Sequence, residues 1–330
     1  MNKPLFTLGV DVSRNTLDVH CTEVNQCIRI ENNSSGFIDL KKFCRQFQIN
    51  LSQAIIVLEY TGGYEYKLLQ FCESCGIPFV RIPGLAIKRS LGITRGKNDK
   101  VDARRIAQFA DEKYKTITPE KALNKNIIRL KELLNFRKRL VRENAGYKAT
   151  VKERKHMYDV SNRDFIIKTL ERKIRANEKD IQSTEALIEE EVMSSEALQR
   201  SYTLLKSIKG IGKINAWMTI AYTENFTSFE NARSYAVYVG VIPCEHTSGT
   251  SIRGKSRVSK ISNKELKQEL NQAAKAAIQW DIELKQYATR KLLTKNYGLV
   301  LNNVKFKLIL RMFSVVKRGE KYVEKCPKAA

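Results

Sequence analysis

Hydrophobic and polar positions divide the chain into stretches of different rhythm. In the first, apolar residues come in short runs. Residues 5–12 read as a buried strand ending in an acid, Asp11. Residues 16–24 alternate, with Leu17, Val19 and Cys21 on one face and Asp18, His20 and Thr22 on the other, which predicts a half-buried antiparallel strand. A third short strand covers 28–31, and Ser34-Ser35-Gly36 opens a helix to about Phe47. Residues 54–58 are continuously apolar, as in a central strand, and close on Glu59. Tyr60-Thr61-Gly62-Gly63 turns into a helix ending near Cys75. A strand at 79–82 stops at Pro83-Gly84, and a basic segment, 88–95, leads to a helix from Asp99 to about Lys113. Three meandering strands followed by helix, strand, helix, strand and helix predict an α/β unit with a mixed sheet. Because no G-x-G-x-x-G follows the first strand, a dinucleotide site is not supported.

From about 123 to 192 the pattern is helical. Ile167, Leu170, Ile174, Asn177, Ile181, Thr184 and Ile188 recur in alternating steps of three and four, a heptad seam with two polar members. The preceding half, marked by Ile127, Leu130, Leu134 and Val141, is less regular. An antiparallel helical hairpin turning near 159–162 fits. The pattern alone leaves open a bundle within one subunit and a dimerising coiled coil. Further on, a helix stops at Gly210 and another starts after Gly212. This resembles a helix-hairpin-helix element, in which turn amides and the flanking Lys209 and Lys213 hold a phosphate. Helices are expected at about 213–223 and 230–239, a loop at 240–257, and helices at 263–278, 282–293 and 299–316. The domain boundaries expected are 1–118, 119–200 and 201–330, the last mostly α-helical.

Charge narrows the function. The 330 residues carry 59 Lys+Arg against 35 Asp+Glu, a net +24, with the cations spread along the whole chain. That imbalance calls for a polyanionic partner, and nucleic acid fits it best. No apolar run approaches the roughly 18 residues that span a bilayer, so no membrane partner is expected. Seven scattered cysteines, an odd number, fit reduced thiols in a cytosol. Cys72-x-x-Cys75 has no second pair and is read as two helical positions packed on the sheet. The stretch before the first strand is too short for a signal peptide.

Two constellations carry chemistry. Asp11 and Glu59 end strands that can lie side by side, and Asp99 and Asp102, three residues apart, share one face at the start of a helix. Taken singly these acids read as strand ends or caps, Asp99 as an N-cap. Gathered, four carboxylates repel unless hard cations sit among them, Mg²⁺ first and Mn²⁺ second. Two such ions about 4 Å apart can clamp a phosphodiester. Lys97, Lys100, Arg104 and Arg105 around this stretch are candidate nucleic-acid contacts. The second constellation is Thr247-Ser248-Gly249, with Arg253, Lys255, Arg257 and Lys260 just beyond. Ser248 can attack a phosphate while those cations stabilise the developing charge. A flexible basic loop that only binds backbone phosphate fits the same spacing.

Gly9-Val10-Asp11-Val12-Ser13, Glu59-Tyr60-Thr61-Gly62 and Gly96-Lys97-Asn98-Asp99-Lys100-Val101-Asp102-Ala103 resemble the D-E-D-D signature of bacterial insertion-sequence transposases related to the Piv invertases. Gly210-Ile211-Gly212, Gly240-Val241-Ile242-Pro243, Thr247-Ser248-Gly249 and residues 259–266 resemble their C-terminal transposase domain. The resemblance runs through nearly the whole chain in order. It implies an RNase H-like (RuvC-like) domain, a coiled coil and a C-terminal domain with a nucleophilic serine. It also implies a site-specific DNA recombinase guided by a structured bridge RNA that pairs with target and donor DNA. Such proteins form dimers that join into tetramers, and the acids of one subunit meet the serine of another. Carried over, Asp11, Glu59, Asp99 and Asp102 bind Mg²⁺, and Ser248 forms a 5′-phosphoserine. Asn98 and Thr247 depart from a threonine and a serine common in the family; Ser251 remains a rival nucleophile. A cytoplasmic, nucleoid-associated protein follows. Competing readings are a junction-resolving nuclease using the acids alone and a non-catalytic scaffold binding RNA or DNA.

Overall fold

The first apolar run forms β1 (Phe6–Val12) in the computed structural model. The model describes residues 4–60, 62–90, 99–120, 124–158, 161–162, 164–248, 252–259 and 261–324, with the backbone alone for 99–101, 244–248 and 252–257. Two units divide the chain, Met1–Leu123 and Asn124–Ala330.

In the first unit, β1 is central to a five-stranded mixed sheet with β2 (Thr16–Cys21), β3 (Gln26–Glu31), β4 (Ala54–Glu59) and β5 (Phe79–Ile82). The order is β3-β2-β1-β4-β5; β2 runs antiparallel to β1 and β3, whereas β1, β4 and β5 are parallel. The parallel pairs need crossovers, and helices α1 (Ser34–Gln46) and α2 (Tyr66–Cys75) supply them. Asn33 caps α1 by accepting from the Gly36 amide. Leu8, Val10, Leu17, Ile56 and Leu58 meet Phe37, Leu40, Leu68 and Cys72 on this face of the sheet. The opposite face takes α4 (Asp99–Lys113), with Ile55, Val57 and Val80 packed against Ile106 and Ala110.

Two expectations change here. The strand at 16–24 is buried on both faces, because α4 crosses the face that carries Asp18 and His20. The segment after Pro83 is helical, α3 (Gly84–Ser90): the Pro83 carbonyl accepts from the Ala86 and Ile87 amides, and Ile87 joins the α4 core. A short helix with one buried residue leaves almost no periodic signal. Cys72 and Cys75 do lie on α2, but only Cys72 is buried; Cys75 is exposed. Burial pushes the Cys72 thiol up to about 12.

The second unit begins with two long antiparallel helices, α5 (Lys125–Tyr158) and α6 (Phe165–Met193). Their direction follows from ion pairs Arg137–Glu185, Lys148–Glu178 and Lys155–Glu171, in which one number rises as the other falls. On α6 the positions from Ile167 to Ile188 that form the seam are buried or half-buried. On α5 the inward positions are Leu130, Leu133, Arg137, Leu140, Asn144, Tyr147, Val151 and Arg154, again in steps of three and four. Val141, taken from the sequence as a seam residue, is exposed, and Leu140 occupies that place. Then follow α7 (Glu196–Lys206), α8 (Lys213–Tyr222), α9 (Ala232–Val239), α10 (Lys264–Trp280), α11 (Ile282–Leu292) and α12 (Tyr297–Arg318). They enclose a core around Trp217 that includes Leu205, Leu270, Val304 and Leu308, and the root of the helical pair joins it through Leu134 and Ile188.

The expected loop at 240–257 is instead a two-stranded antiparallel hairpin, β6 (Pro243–Ser248) and β7 (Ile252–Val258). Its residues are mostly small or polar, so no hydrophobic alternation announces the strands. Hydrogen-bonded pairing forms without it.

Candidate active site

Strand register decides which acids meet. The parallel pairing of β1 with β4 ends at Val10↔Leu58. Asp11 and Glu59 are the next residues on each strand, so they stand at the same edge on neighbouring strands, about 4.8 Å apart along the hydrogen-bonding direction. Leu8 and Val10 face the α1/α2 core. By alternation Gly9 and Asp11 face the other side, as do Val57 and Glu59. Both acids are partly exposed.

Gly9 seats α4 on that side. A Cβ there would collide with the Ala103 carbonyl oxygen and the Ala107 amide, so the absence of a side chain lets the helix backbone lie directly on the strand. At the other end of α4, Ala110 lines a cavity of about 220 Å³ with Thr7, Ala54 and Val57. These residues belong to the beginnings or middles of β1 and β4. The helix therefore runs against the direction of β1, and its N-terminus lies at the end of the sheet that carries Asp11 and Glu59. Asp102, beside Ala103, is partly exposed and forms an ion pair with Arg105 at 3.0 Å. Asp99 is the first residue of α4, one turn earlier. Its side chain and that of Lys100 lie outside the described residues, as does Lys97 altogether.

Several neighbours shape this edge. Gly84 begins α3 against Glu59: a Cβ at 84 would overlap the Glu59 carboxylate. Asp18 is the cross-strand partner of Asp11. It is only 6% exposed, and Arg29 holds it from the next strand through three hydrogen bonds of 2.8–3.1 Å. Such a bidentate pair offsets much of the repulsion that a second carboxylate beside Asp11 would create. His20 lies opposite Gly9. Its pKa is lowered, first by burial and then by the Arg104 charge. The sequence assigned Asp18 and His20 to a solvated face, and nothing in one strand's alternation could have shown that α4 covers it.

The donor set is all carboxylate oxygen, which suits hard divalent ions, and the Glu59 carboxylate fits against the bare Cα of Gly84. Among the described residues no three acid, histidine or cysteine side chains already stand at ligating distance of one point. Asp102 in particular accepts from Arg105 through one oxygen, Oδ1.

The serine constellation lies in the other unit. Ser248 closes β6 opposite Ile252, and Thr247 stands opposite Arg253. Arg253, Lys255 and Arg257 are on β7, with a register shift between Cys244 and His246 on the facing strand. Residues 249–251, including Ser251, and Lys260 lie outside the described residues. Lys209 pairs with Glu324 at 2.8 Å, and Lys213 pairs with Glu185, which also binds Arg137 at 2.7 Å. Burial pushes the Glu185 carboxyl up, but hydrogen bonds from Lys213 and Arg137 outweigh it and leave the pKa lowered. Gly210 has φ of 92°, and a Cβ there would meet the Ala273 carbonyl oxygen at 2.6 Å and Ala277 Cβ at 2.7 Å. The G-x-G turn thus seats α10, a packing purpose separate from phosphate binding.

Comparison with known proteins adds an independent line. The family model of DEDD transposases of the IS110 type, described as "Transposase", matches residues 8–154. The model described as "Transposase IS116/IS110/IS902 family" matches residues 202–289. Two curated relatives, the pilin gene-inverting proteins of Moraxella lacunata and Moraxella bovis, are each 28% identical over 268 residues, 80% of this chain and 80% of the relative.

Proposed function

Because the chain belongs to the IS110-type DEDD transposases and recombinases, we propose that it cuts and rejoins DNA strands at a site shared between its acidic edge and Ser248. The observation that carries the acidic half is the convergence of the β1 and β4 ends with the N-terminus of α4. Divalent-metal use is what a DEDD transposase implies, and Mg²⁺ is the ion proposed, with Mn²⁺ as substitute. Bound there, the ion supplies Lewis acidity to a phosphodiester. Asp11, Glu59, Asp99 and Asp102 would hold it, Asp102 through the oxygen that Arg105 does not engage.

In the proposed reaction, Ser248 Oγ attacks the scissile phosphorus. The Oγ–P bond forms, the P–O3′ bond breaks, and the serine proton is accounted for on the departing 3′-hydroxyl. A 3′-hydroxyl from the exchanged strand reverses the step and frees the serine. Arg253, Lys255 and Arg257 on β7, with Lys260, lie close to Ser248 in sequence and are proposed to steady the phosphoryl oxygens. Lys97, Lys100, Arg104 and Arg105 are assigned to nucleic acid; Lys209 and Lys213 join them by releasing Glu324 and Glu185. A bridge RNA selects both DNA partners by pairing, and the +24 charge supports so large a polyanionic load. Dimers joining into tetramers bring the acids of one subunit to the serine of another, with the α5–α6 coiled-coil pair and the α7–α8 helix-hairpin-helix as assembly and backbone-binding elements. The protein acts in the cytoplasm, on the nucleoid; among the described residues no helix is long and apolar enough to cross a membrane.

The test incubates pure protein, RNA, donor and target DNA with Mg²⁺. Wild type is expected to give a denaturant-resistant protein–DNA adduct, Ser248→Ala none, and Asp102→Ala neither cleavage nor adduct. Mixing the two inactive variants restores activity if the acids and the serine come from different subunits. Cleavage without any adduct would leave the acids-only nuclease standing instead.

A further inference from the structure

Lys305, on α12, is the one buried lysine among the described residues, only 3% exposed. Leu301, Val304 and Leu308 of the same helix are buried with it. Among the described residues no hydrogen bond or ion pair engages its ammonium group. The charge that bears on it is another cation, Lys267 of α10, half-buried itself. Burial first and Lys267 second lower the Lys305 pKa to about 8. Two like charges that bear on each other in a partly dry place are costly unless an anion arrives.

Their position says which anion. Asn302, one turn before Lys305 on the same helix face, donates to the Val241 carbonyl, two residues ahead of β6. Lys267 lies one turn beyond Asn263, the cap of α10, whose amide bonds to the Tyr238 carbonyl. Ser262, just before that cap, packs on Gly240. The two lysines therefore sit within about a helix turn of both chain segments that enter and leave the β6–β7 hairpin. The N-terminus of the 17-residue helix α10 adds partial positive charge at the same place.

We propose that Lys305 and Lys267 form a phosphate-binding site at the root of the β6–β7 hairpin, occupied by a backbone phosphate of the DNA strand presented to Ser248. The proposal rests on the reading above that DNA lies along this hairpin. The ion pairs of Lys209 and Lys213 with Glu324 and Glu185 set off the difference: those cations already have anionic partners, whereas Lys305 is left for one from outside.

The test measures binding of the full-length protein to a duplex DNA oligonucleotide, and to an RNA of equal length, as a function of salt. Lys305→Met preserves length and burial while removing the charge. It is expected to weaken DNA binding about fivefold to tenfold and to reduce the slope of log K against log salt by about 1. Lys267→Met is expected to do the same, and the double variant little more, because both serve one phosphate. If Lys305→Met melts below wild type, Lys267→Met decides alone. Unchanged DNA affinity and slope in folded variants, or a loss confined to RNA, would overturn the proposal. An adduct that persists in Ser248→Ala, with the DNA loss of Lys305→Met intact, would sink the serine assignment and leave the phosphate site standing.

Discussion

Replacing Gly9 with alanine tests the geometry of the acidic edge without touching an acid. The added Cβ falls inside contact distance of the Ala103 carbonyl oxygen and the Ala107 amide, and 2.7 Å from the Ala107 Cβ. Ordinary carbon contacts lie at about 3.5–4.0 Å, so α4 must lift from β1 by about 1 Å. Neither partner can rotate away, because two of the three atoms are helix backbone. Overpacking of this kind costs about 1–3 kcal/mol, which for a unit of this size lowers the melting temperature by roughly 3–12 °C. The larger effect falls on chemistry. Asp102 is bonded to the residue that is pushed, and a misplacement of about 1 Å costs on the order of 100-fold in rate. The expected result is Mg²⁺-dependent strand cleavage reduced about 100-fold in a protein that still melts cooperatively a few degrees early. Wild-type cleavage and an unchanged melting temperature would show that α4 is not seated on Gly9, and the placement of Asp102 beside Asp11 would fall with it.

Other outcomes follow from the same contacts. Gly84→Ala drives a Cβ into the Glu59 carboxylate and is expected to cut Mg²⁺-dependent cleavage more than stability, read by cleavage rate against melting temperature. Gly146→Ala, in the middle of α5 with open space around it, is expected to stabilise by up to about 1 kcal/mol in urea unfolding and to leave cleavage unchanged. Asp281 is 1% exposed, caps α11 through the Leu284 amide and binds Arg311 at 2.6 Å; Asp281→Ala removes the cap and leaves Arg311 only its exposed partner Glu283 at 2.8 Å, and is expected to cost about 2–3 kcal/mol, seen as an early melting transition. Without nucleic acid, the lowered pKa of Lys305 means that the unfolded chain binds more protons than the folded one between pH 8 and 10.5, so wild-type stability rises with pH through that window. Lys305→Met should accordingly stabilise the free protein at pH 7 by on the order of 3 kcal/mol, and the advantage should fade as pH approaches 10.5; equal curves for the two proteins at every pH would refute it.

The readable parts of this fold are those in which a local pattern coincides with a buried face. Residues 54–58 are apolar throughout because β4 lies inside the sheet, and the acids that end β1 and β4 stand out against those runs. Parallel pairing then brings Asp11 and Glu59 together with little further information. The hairpin is not legible in the sequence because Cys244 to Arg257 holds no apolar alternation. The seam of α5 is obscured for a related reason: Arg137, Asn144, Tyr147 and Arg154 occupy inward positions, so hydrophobicity alone does not separate Leu140 from Val141. Asp18 and His20 looked solvated because burial of that face is decided by α4, some 80 residues later in the chain. Lys305 carries no signal at all in the sequence, since a lysine on an otherwise apolar helix face usually reads as a snorkelling side chain.

The α5–α6 pair sets a length scale. At about 1.5 Å per residue the 29 and 34 residues of its helices project roughly 44 and 51 Å. Because both seams repeat every seven residues, the reach of the pair is quantised. Removing one heptad from each helix shortens it by about 10.5 Å while returning every inward residue to an inward position, whereas removing any other small number rotates the seam out of line. Whatever distance this arm spans, selection can lengthen or shorten it only in such steps, as a ruler with one spacing between its marks.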